Sequence, residues 1–490
     1  MQLTESPFPP PVRRRTRRDP RPRFKPERVA QLDAVLGCPS LQVPEGHLAR
    51  TVLGMVAELD VSRLETQYSS LGRHGYAPRN VLAVWLYASL IGIHHASKVA
   101  RACQTDAAFR LLSGGYAISD GTLKRFRRRN GTFFADAIVQ TVRFARERGV
   151  LPIEELAVDS MRLRAHASTK AVRTLKRSRE RLEELATIDS DVLSPTEREG
   201  HEAKLKKHRE AVKECEEKDC TSIVVTNESA ALMKFPSGAG LPGHRVTVTA
   251  AGISERLVIG VLVDADATDS GKLEAALLEA RSVLERAGAA TSGLQAAADA
   301  GYFSEKDLQF SAHNRAWVDV LITEGAAATN TLPTKEPGLF DRDQFTIHPD
   351  RSATCPAGRL MQGPYPHHHG RTMWLGVGCG DCPQRARCTK GKQRTLTANL
   401  NLETVRDQMR ERLARPGGRE RYNQRIATVE PVFANIEDVM GFRRASSRHA
   451  TTILAEVLLK ILAHNVSRLL AARKLSCLWF QLEDEFWSTL

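Results

Sequence analysis

The sequence predicts an α/β protein in which an all-helical N-terminal region precedes a mixed sheet flanked by helices. Two observations carry this prediction. Apolar residues recur at helical spacing from residue 46 to about residue 149, and β-branched runs alternate with helical segments beyond residue 245. The length is consistent with more than one domain, because 490 residues, 42% of them hydrophobic, exceed the size at which a single core usually stops growing. We therefore expect two or three domains.

The N-terminal segment predicts a tail rather than a folded element. Residues 1–28 are rich in proline and arginine and too poor in apolar side chains to fold alone, so we expect a disordered basic tail. Two interpretations of this tail stay open: a solvated segment with no dedicated ligand, or an arm that lies along a DNA backbone. No charged start is followed by an apolar core, so we expect no secretory signal.

The helical region, residues 29–150, contains a buried helix and a basic one. Residues 81–93 are apolar but too few to span a bilayer, which predicts a buried helix. Within residues 118–130, Ser119 or Asp120 is expected to cap a helix with five basic side chains on one broad face: Lys124, Arg125, Arg127, Arg128 and Arg129. A helix of this kind fits a DNA major groove, and a solvated basic helix fits the sequence equally well.

The segment 170–219 predicts a helical hairpin. It is highly charged, contains alanine and leucine, and is interrupted at residues 189–195. This pattern indicates two antiparallel helices joined by a turn and projecting from the domain. DNA contact, subunit contact and a surface elaboration without a partner are all open.

The centre of the chain changes to strand periodicity. Strands are predicted at residues 245–250, 257–263, 295–298 and 317–323, with a helix at 271–287. This alternation of strands and helices is typical of an α/β domain.

Three acidic residues stand in short apolar segments: Asp159, Asp299 and Glu430. We expect Asp159 and Asp299 to end strands, and Glu430 to lie in a helix whose first turn contains Pro431. Carboxylates gathered in this way suit magnesium, a hard cation that prefers oxygen ligands and substrate phosphates. For either aspartate alone, capping of a strand end is the simpler interpretation.

A second acidic cluster is denser and consists of Asp264, Asp266 and Asp269. Spacing alone favours it as a metal-binding loop. We interpret it instead as a turn from strand to helix, in which Asp269 or Ser270 caps the helix.

The charge balance favours a polyanionic partner. Lysine and arginine number 71 against 57 aspartate and glutamate, a formal net charge of +14. Binding of DNA or RNA by such a chain is favoured by counterion release. Charge alone leaves an anionic membrane surface open.

The cysteines predict a metal site rather than disulfides, because the chain is expected in the cytoplasm. Four of the nine lie in one segment rich in glycine and proline: Cys355, Cys379, Cys382 and Cys388. Structural zinc is the first interpretation, with a four-thiolate iron–sulfur cluster and unliganded thiols as alternatives. The histidine run at residues 367–369 is a weaker source of one ligand.

The ordered motifs resemble those of the DDE transposases of bacterial insertion sequences, in the branch with a helical N-terminal domain and a cysteine-bearing insertion in the catalytic domain. The resemblance covers most of residues 45–475. It rests on Tyr76-Ala-Pro with the helix behind it, Ser119-Asp-Gly-Thr-Leu-Lys-Arg-Phe-Arg127, Ala157-Val-Asp-Ser160 with Ala165-His-Ala-Ser168, Ala298-Asp-Ala-Gly-Tyr-Phe-Ser304, and Val429-Glu-Pro-Val-Phe433 with Gly441-Phe-Arg-Arg444. Each motif is modest alone, and their order and spacing are specific together.

The resemblance implies an RNase H-like catalytic domain over residues 151–475, which contains the helical hairpin at 170–219 and a cysteine-rich insertion at 335–400, before a tail at 476–490. It implies that Asp159, Asp299 and Glu430 bind two magnesium or manganese ions. The implied activity is cleavage of double-stranded DNA at the ends of the element and joining of the freed 3′ hydroxyl to target DNA.

The resemblance also implies partners and a location. The basic tail, the helix with Lys124 to Arg129, and Arg443 and Arg444 are expected to contact DNA phosphates. The chain is expected to form a homo-oligomer on paired DNA ends, in the bacterial cytoplasm at the nucleoid and without a membrane span.

The chain departs from the family pattern in two places. Relatives usually carry a basic residue seven positions after the catalytic glutamate, about two turns along the same helix face, where this chain has Glu437. Residues 226–234 differ from the Asp-Pro pair and arginine usual in relatives. Two alternatives therefore stay open: an inactive transposase-derived DNA-binding protein, and a two-metal DNA nuclease without strand transfer.

Overall fold

The fold is known from a computed structural model that describes residues 22–34, 36–71, 73–150, 154–189, 192–324, 339–340, 342–368 and 371–472. Most of the predicted basic tail at 1–28 and all of the predicted tail at 476–490 lie outside these ranges. Within them, no helix is both long and apolar enough to cross a membrane.

The N-terminal region is helical, as predicted. Its helices are α1 Pro39–Gln42, α2 Leu48–Glu58, α3 Ser62–Glu65, α4 Pro78–Leu90, α5 Ala96–Thr105, α6 Ala107–Leu112, α7 Asp120–Arg129 and α8 Gly131–Glu147. α4 is buried along most of its length, which confirms the predicted buried helix. The hydroxyl of Ser119 caps α7 by accepting from the N–H of Thr122 at 3.3 Å, so the first of the two predicted caps is correct.

A mixed sheet forms the centre of the chain. The strands up to residue 324 are β1 Glu155–Arg164, β2 Val172–Thr174, β3 Ser222–Val224, β4 Ala231–Lys234, β5 Gly240–Ala251, β6 Leu257–Asp264, β7 Leu294–Ala298 and β8 Val318–Ile322. β5, β1, β7 and β8 lie side by side in that order, and both β4 and β6 pair with the outer edge of β5. β5 runs antiparallel to β1 and β6, whereas β7 and β8 run parallel to β1.

The predicted hairpin is present. It consists of α9 Leu175–Ala186 and α10 Pro195–Glu217, and the short pair β2–β3 closes its base. α10 begins with a capping box in which Ser194 and Glu197 satisfy each other's backbone N–H groups. The break that the sequence predicted at residues 189–195 is therefore the turn of the hairpin.

The cysteine-rich insertion has a small core of its own. The helices α11 Leu273–Arg286 and α12 Glu305–His313 precede it in the chain. The insertion itself contains β9 Thr346–Ile347, β10 Ala353–Thr354, β11 Gln362–His367, β12 Arg371–Leu375, α13 Arg385–Cys388 and β13 Thr395–Ala398. Its buried side chains gather around Trp374 and form a cluster apart from the main core. This segment thus has a hydrophobic cluster of its own.

The remaining helices tie the N-terminal region to the sheet. They are α14 Leu400–Ala414, α15 Gly418–Ala434 and α16 Ala450–Ala471. α16 packs on α4, α7, α8 and β6, and one hydrophobic core runs through all of them. Buried Asn465 of α16 accepts from the N–H of Val258 and donates to its carbonyl, both at 2.9 Å, and donates to Thr141 at 3.0 Å. The boundary predicted at residue 150 therefore does not separate two cores.

Two predictions about aspartates in the sheet region are wrong. Asp159 does not end its strand, because β1 continues in register with β5 as far as Arg164. Asp269 and Ser270 do not cap α11. The buried carboxylate of Asp307 on α12 accepts instead from the N–H groups of Gly271 and Leu273, at 2.6 and 3.0 Å, and so caps α11 from a distant part of the chain.

The prediction for Pro431 is also wrong. α15 begins at Gly418, so this proline lies near the C-terminal end of the helix and not in its first turn. A proline cannot donate to the carbonyl four residues earlier, which here belongs to Ala427. Nε of Arg256 donates to that carbonyl at 3.0 Å and replaces the missing backbone hydrogen bond.

Candidate active site

Asp159 and Asp299 lie side by side at the centre of the sheet. β1 and β7 are parallel, with Val158 beside Ala298, so the residues that follow are level with each other on strands about 4.8 Å apart. The side chain of Asp159 is 19% exposed and that of Asp299 is 43% exposed. The pair is therefore open to solvent and to a ligand on one side.

A buried arginine joins the two aspartates. Arg425 of α15 donates one terminal N–H group to Oδ2 of Asp159 at 2.7 Å, and its other terminal nitrogen lies 3.2 Å from Oδ1 of Asp299. Only 7% of the arginine side chain is exposed. The two carboxylates thus hold one full positive charge between them in a partly desolvated place.

The environment makes Asp159 harder to ionise than an ordinary aspartate. Burial raises the pKa of Asp159 to about 6, and the negative charge of Asp299 acts in the same direction. Arg425 opposes this shift, as does the N–H of Ser160, which donates to Asp159 at 2.7 Å. A cation beside Asp159 therefore stabilises a carboxylate that solvent alone stabilises poorly.

The opposite face of β1 carries a second ionic cluster. Arg245, with 1% of its side chain exposed, pairs with Asp269 and donates to the hydroxyl of Ser160 at 2.8 Å. The same carboxylate packs on the turn after β7, where a Cβ at Gly301 would lie 2.8 Å from Oδ2 of Asp269. A larger residue at position 301 would require Asp269 to shift, so the cluster packs closely against the turn that follows Asp299.

The third predicted carboxylate lies apart from this pair. Glu430 is exposed on α15, five residues after Arg425 and so about 140° around the helix. In the ranges that the structure describes, no three histidine, cysteine, aspartate or glutamate side chains are arranged to hold a metal ion. The fold brings Asp159 and Asp299 together and leaves Glu430 outside.

The donor chemistry of the pair fits a hard divalent cation. Two carboxylates supply oxygen ligands of the kind that magnesium and manganese prefer. Their oxygens already hold the guanidinium group of Arg425, so the place between them accommodates positive charge. A metal ion in that place requires Arg425 to move away.

Glu437 does not lie two α-helical turns along the face of Glu430. The helix changes to a π-helical turn over Asn435–Val439, and this wider turn rotates residue 437 out of the α-helical register. Burial raises the pKa of Glu437, and the charge of Arg443 lowers it. The expectation drawn from an uninterrupted α-helix is thus wrong.

The structure corrects one residue of the predicted DNA-binding helix. Arg127 is buried on α7 and pairs with Glu456 of α16 at 2.9 Å, with 8% and 1% of the two side chains exposed. Another of its N–H groups donates to the carbonyl of His94 at 3.2 Å. Because Arg127 follows Leu123 and Phe126 on the face that packs into the core, its role is structural and its predicted phosphate contact is wrong.

The other predicted phosphate contacts are exposed and stay predictions. Lys124 pairs with Asp120 at 2.7 Å, and Arg443 pairs with Asp438. Nε of Arg444 donates to the carbonyl of Ala165 at 3.2 Å. The remaining exposed candidates on α7 are Arg125, Arg128 and Arg129.

The four predicted cysteine ligands line one small cavity of about 390 Å³: Cys355, Cys379, Cys382 and Cys388. All four are free thiols. Burial raises the pKa of Cys388, and the other three sulfurs raise it further. The thiols are therefore neighbours, although in the described chain they do not form a closed metal site. His367 and His368 are exposed, and residue 369 lies outside the described ranges.

Sequence analysis missed Arg425, although the sequence contains a signal for it. Tyr422, Arg425, Val429 and Val432 recur at intervals of three and four and form the buried stripe of α15. A charged residue in such a stripe indicates a buried partner of opposite charge. The sequence does not show that this partner is the Asp159–Asp299 pair.

Two separate regions of the chain match known protein families. Residues 354–470, from the cysteine-rich insertion through α15 to α16, match the family described as Transposase DDE domain. Residues 39–129, from α1 to α7, match the family described as Transposase domain (DUF772). No curated protein matches the chain. The two family matches together support a DDE-type transposase of an insertion element.

Proposed function

We propose that this transposase cleaves double-stranded DNA at the ends of its element and joins the freed ends to target DNA. Asp159, Asp299 and Glu430 hold two divalent cations, magnesium or manganese, in an RNase H-like domain. The protein acts as a homo-oligomer on paired ends.

The observation that carries the proposal is the positively charged guanidinium group of Arg425 between two carboxylates. The guanidinium group of Arg425 contacts Asp159 at 2.7 Å and Asp299 at 3.2 Å, on adjacent parallel strands. When bound, divalent cations lower the pKa of an attacking water or 3′ hydroxyl and stabilise the leaving oxygen. Asp159 and Asp299 position the cations, and displaced Arg425 is free to contact a DNA phosphate.

The topology of the sheet supports the RNase H-like part of the proposal. Three consecutive antiparallel strands, β1, β5 and β6, are followed by two strands parallel to β1 on its other side. The carboxylates project from β1 and from the end of β7, and α15 crosses the same face with Glu430. Movement of α15 that withdraws Arg425 offers a route by which Glu430 joins the pair.

The test is cleavage and joining of a labelled duplex that carries the end of the element. Wild-type protein is expected to yield cut and joined products only with magnesium or manganese. Asp299→Asn and Glu430→Gln are expected to abolish both products while binding the duplex as wild type does. Glu285→Gln is the matched control, because Glu285 is an exposed carboxylate on α11 that pairs only with Arg281 among the described residues. Products from Asp299→Asn at the wild-type rate would exclude the mechanism.

DNA binding without catalysis is the second candidate function. It is favoured by the exposed position of Glu430 outside the aspartate pair. In the same assay this function gives duplex binding and no metal-dependent product from wild type. A nuclease that cuts without joining gives cut strands alone.

We further propose that the four clustered cysteines bind structural zinc. Their shared cavity and the small, separate core of the insertion support this, because a metal adds stability where few apolar side chains are available. Protein purified without chelator is expected to contain one zinc per chain, and Cys388→Ser to lose it. Cys103→Ser, which removes a buried thiol in α5, is the matched control. Iron with a visible absorption band would indicate an iron–sulfur cluster, and wild type without metal would refute both.

A further inference from the structure

Two adjoining depressions form one long groove at the end of β1. The larger, about 850 Å³, lies between the base of the hairpin and the β4–β5 edge, and the smaller, about 490 Å³, lies between residues 164–169 and residues 444–448. Thr169 lines both of them, and Gly240 of one is followed directly by Leu241 of the other. We call the combined depression the basic groove, after the basic side chains that line it: Arg164, His166, Lys170, Arg173, Arg177, Arg181, His208, Arg444 and Arg448.

The positive charge of the basic groove is largely unneutralised. No carboxylate lines its smaller part. Two glutamates line the larger part, but Glu184 pairs with Arg181 and Glu180 pairs with Lys176. Of the six arginines of the basic groove, Arg181 alone has an ion pair within the described chain. Arg164, Arg177, Arg444 and Arg448 are exposed, so they are available to an outside anion.

Backbone contacts hold the arginines of the smaller part in place. Nε of Arg448 donates to the carbonyl of His166 at 3.2 Å, and Arg444 donates to the carbonyls of Ala165 and Ala167 at 3.2 and 3.4 Å. The two terminal nitrogens of Arg448 have no acceptor among the described residues. A guanidinium group that is anchored at one edge and free at the other is preorganised to bind a phosphate.

In the larger part of the basic groove, the pKa of His208 reflects the positive charges around it. Burial lowers the pKa of His208, and the positive charges of Arg173, Lys207, Arg181 and Arg177 lower it further. The hairpin therefore contributes positive potential to the groove floor, not only bulk on the surface.

Strand β1 connects the basic groove to the candidate active site. β1 carries Asp159 near its middle and ends at Arg164, and five residues of strand span about 17 Å. The strand end is tied to the far wall, because Arg164 donates its N–H to Arg443 and accepts from Ala445, at 3.2 and 2.9 Å. Since each base pair of duplex DNA advances 3.4 Å, about five base pairs separate the groove from the aspartates.

We propose that the basic groove binds the phosphate backbone of duplex DNA about five base pairs from the strand held at Asp159 and Asp299. Several cations in a row along an open trough suit a repeating polyanion rather than a single phosphate. Of these residues, only Arg444 was among the phosphate contacts that the resemblance implied. The inference rests on the proposed function for the identity of the ligand, and the experiment below separates the two.

The experiment measures how the dissociation constant for a long duplex of arbitrary sequence depends on salt. The groove variant combines Arg164→Ala with Arg448→Ala. The control combines Arg179→Ala with Arg281→Ala, which removes the same charge from two arginines that pair with Glu216 and Glu285. The groove variant is expected to lower the slope of log affinity against log salt by about 2, and the control to leave it unchanged, because each lost phosphate contact removes about 0.9.

A conservative variant guards against loss of folding. Arg164→Lys with Arg448→Lys keeps both charges and is expected to retain the wild-type slope. Equal slopes for the groove variant and the control, or no duplex binding by wild type, would overturn the inference. A slope deficit in the groove variant together with no cleavage by wild type would leave the groove standing and refute the catalytic function instead. Asp299→Asn is expected to keep the wild-type slope. That result would show that the salt dependence reports on the basic groove and not on the aspartate pair.

Discussion

Arg127→Met is expected to destabilise the protein, although Arg127 lies in the most basic helix of the chain. Its guanidinium group is held between α7 and α16, where it pairs with Glu456 at 2.9 Å and lies 4.8 Å from the ring centre of Trp85. It also donates to the hydroxyl of Ser446 at 2.6 Å. The substitution keeps the apolar stem and removes only the charged, hydrogen-bonding end.

The expected magnitude follows from the burial of the partner. Glu456 has 1% of its side chain exposed, so without Arg127 it becomes a buried carboxylate with only the N–H and hydroxyl groups of Ser446 as partners. Breaking one side of a buried ion pair costs about 3–5 kcal/mol. Arg128→Ala, at the next and exposed position, is expected to change stability by less than about 0.5 kcal/mol.

Two measurements on the same variants test this reasoning. Urea unfolding followed by circular dichroism gives the stability change. The salt dependence of duplex binding, below the unfolding transition, gives the number of phosphate contacts. Arg127→Met is expected to lower stability and keep the wild-type slope, whereas Arg128→Ala is expected to keep stability and lower the slope by about 1. Adding Glu456→Gln to Arg127→Met is expected to recover part of the loss, because it removes the unpaired charge.

The opposite pattern would refute the reasoning. If Arg127→Met left stability unchanged and lowered the slope, α7 would present this arginine to DNA and the pair with Glu456 would not form in solution.

Further predictions concern α15 and α16. Arg425→Met is expected to enlarge the magnesium-induced rise in melting temperature, because the guanidinium group no longer competes for Asp159 and Asp299; equal rises in variant and wild type would contradict this. Burial lowers the pKa of Lys460 from 10.5 to about 7, so in that pH range the unfolded chain binds more protons and the free energy of unfolding rises with pH. Lys460→Met is expected to flatten that rise in urea titrations at several pH values, and an unchanged slope would rule out a shifted lysine. Asn465→Leu leaves the backbone N–H and the carbonyl of Val258 without their partner, whereas the hydroxyl of Thr141 still donates to Ile138 at 2.6 Å. About 1–3 kcal/mol of unfolding free energy is expected to be lost for each of the two backbone groups; a loss below about 1 kcal/mol would indicate that they find other partners.

Local pattern was enough to predict much of the fold. The strands β5 to β8, the helix α11 and both helices of the hairpin follow from periods of two and of 3.6 residues, which depend only on neighbours in the sequence. Contacts from outside the segment decide two places where the local predictions failed. Asp307 replaces Asp269 as the cap of α11, and Arg256 satisfies the carbonyl that Pro431 cannot reach.

The candidate site divides in the same way. Asp159 and Asp299 were predicted from acidic residues within short apolar segments and from motif order. Arg425 was not, because its contact with Asp159 joins residues 266 positions apart. The burial of Arg127 was missed for the same reason, since α7 alone shows an unbroken basic face and only α16 covers part of it.

The sequence by itself therefore determined the class of fold, the positive charge, the clustered thiols and the family, because composition, periodicity and motif order are properties of the chain in one dimension. Only the tertiary structure decided which charges are neutralised. It pairs Arg425 with the two aspartates and Arg127 with Glu456, and among the described residues it leaves Arg164, Arg444 and Arg448 of the basic groove without an ion pair. The physical reason is that the strength of a charge in a protein depends on burial and on the nearest opposite charge, and both are set by contacts between distant segments.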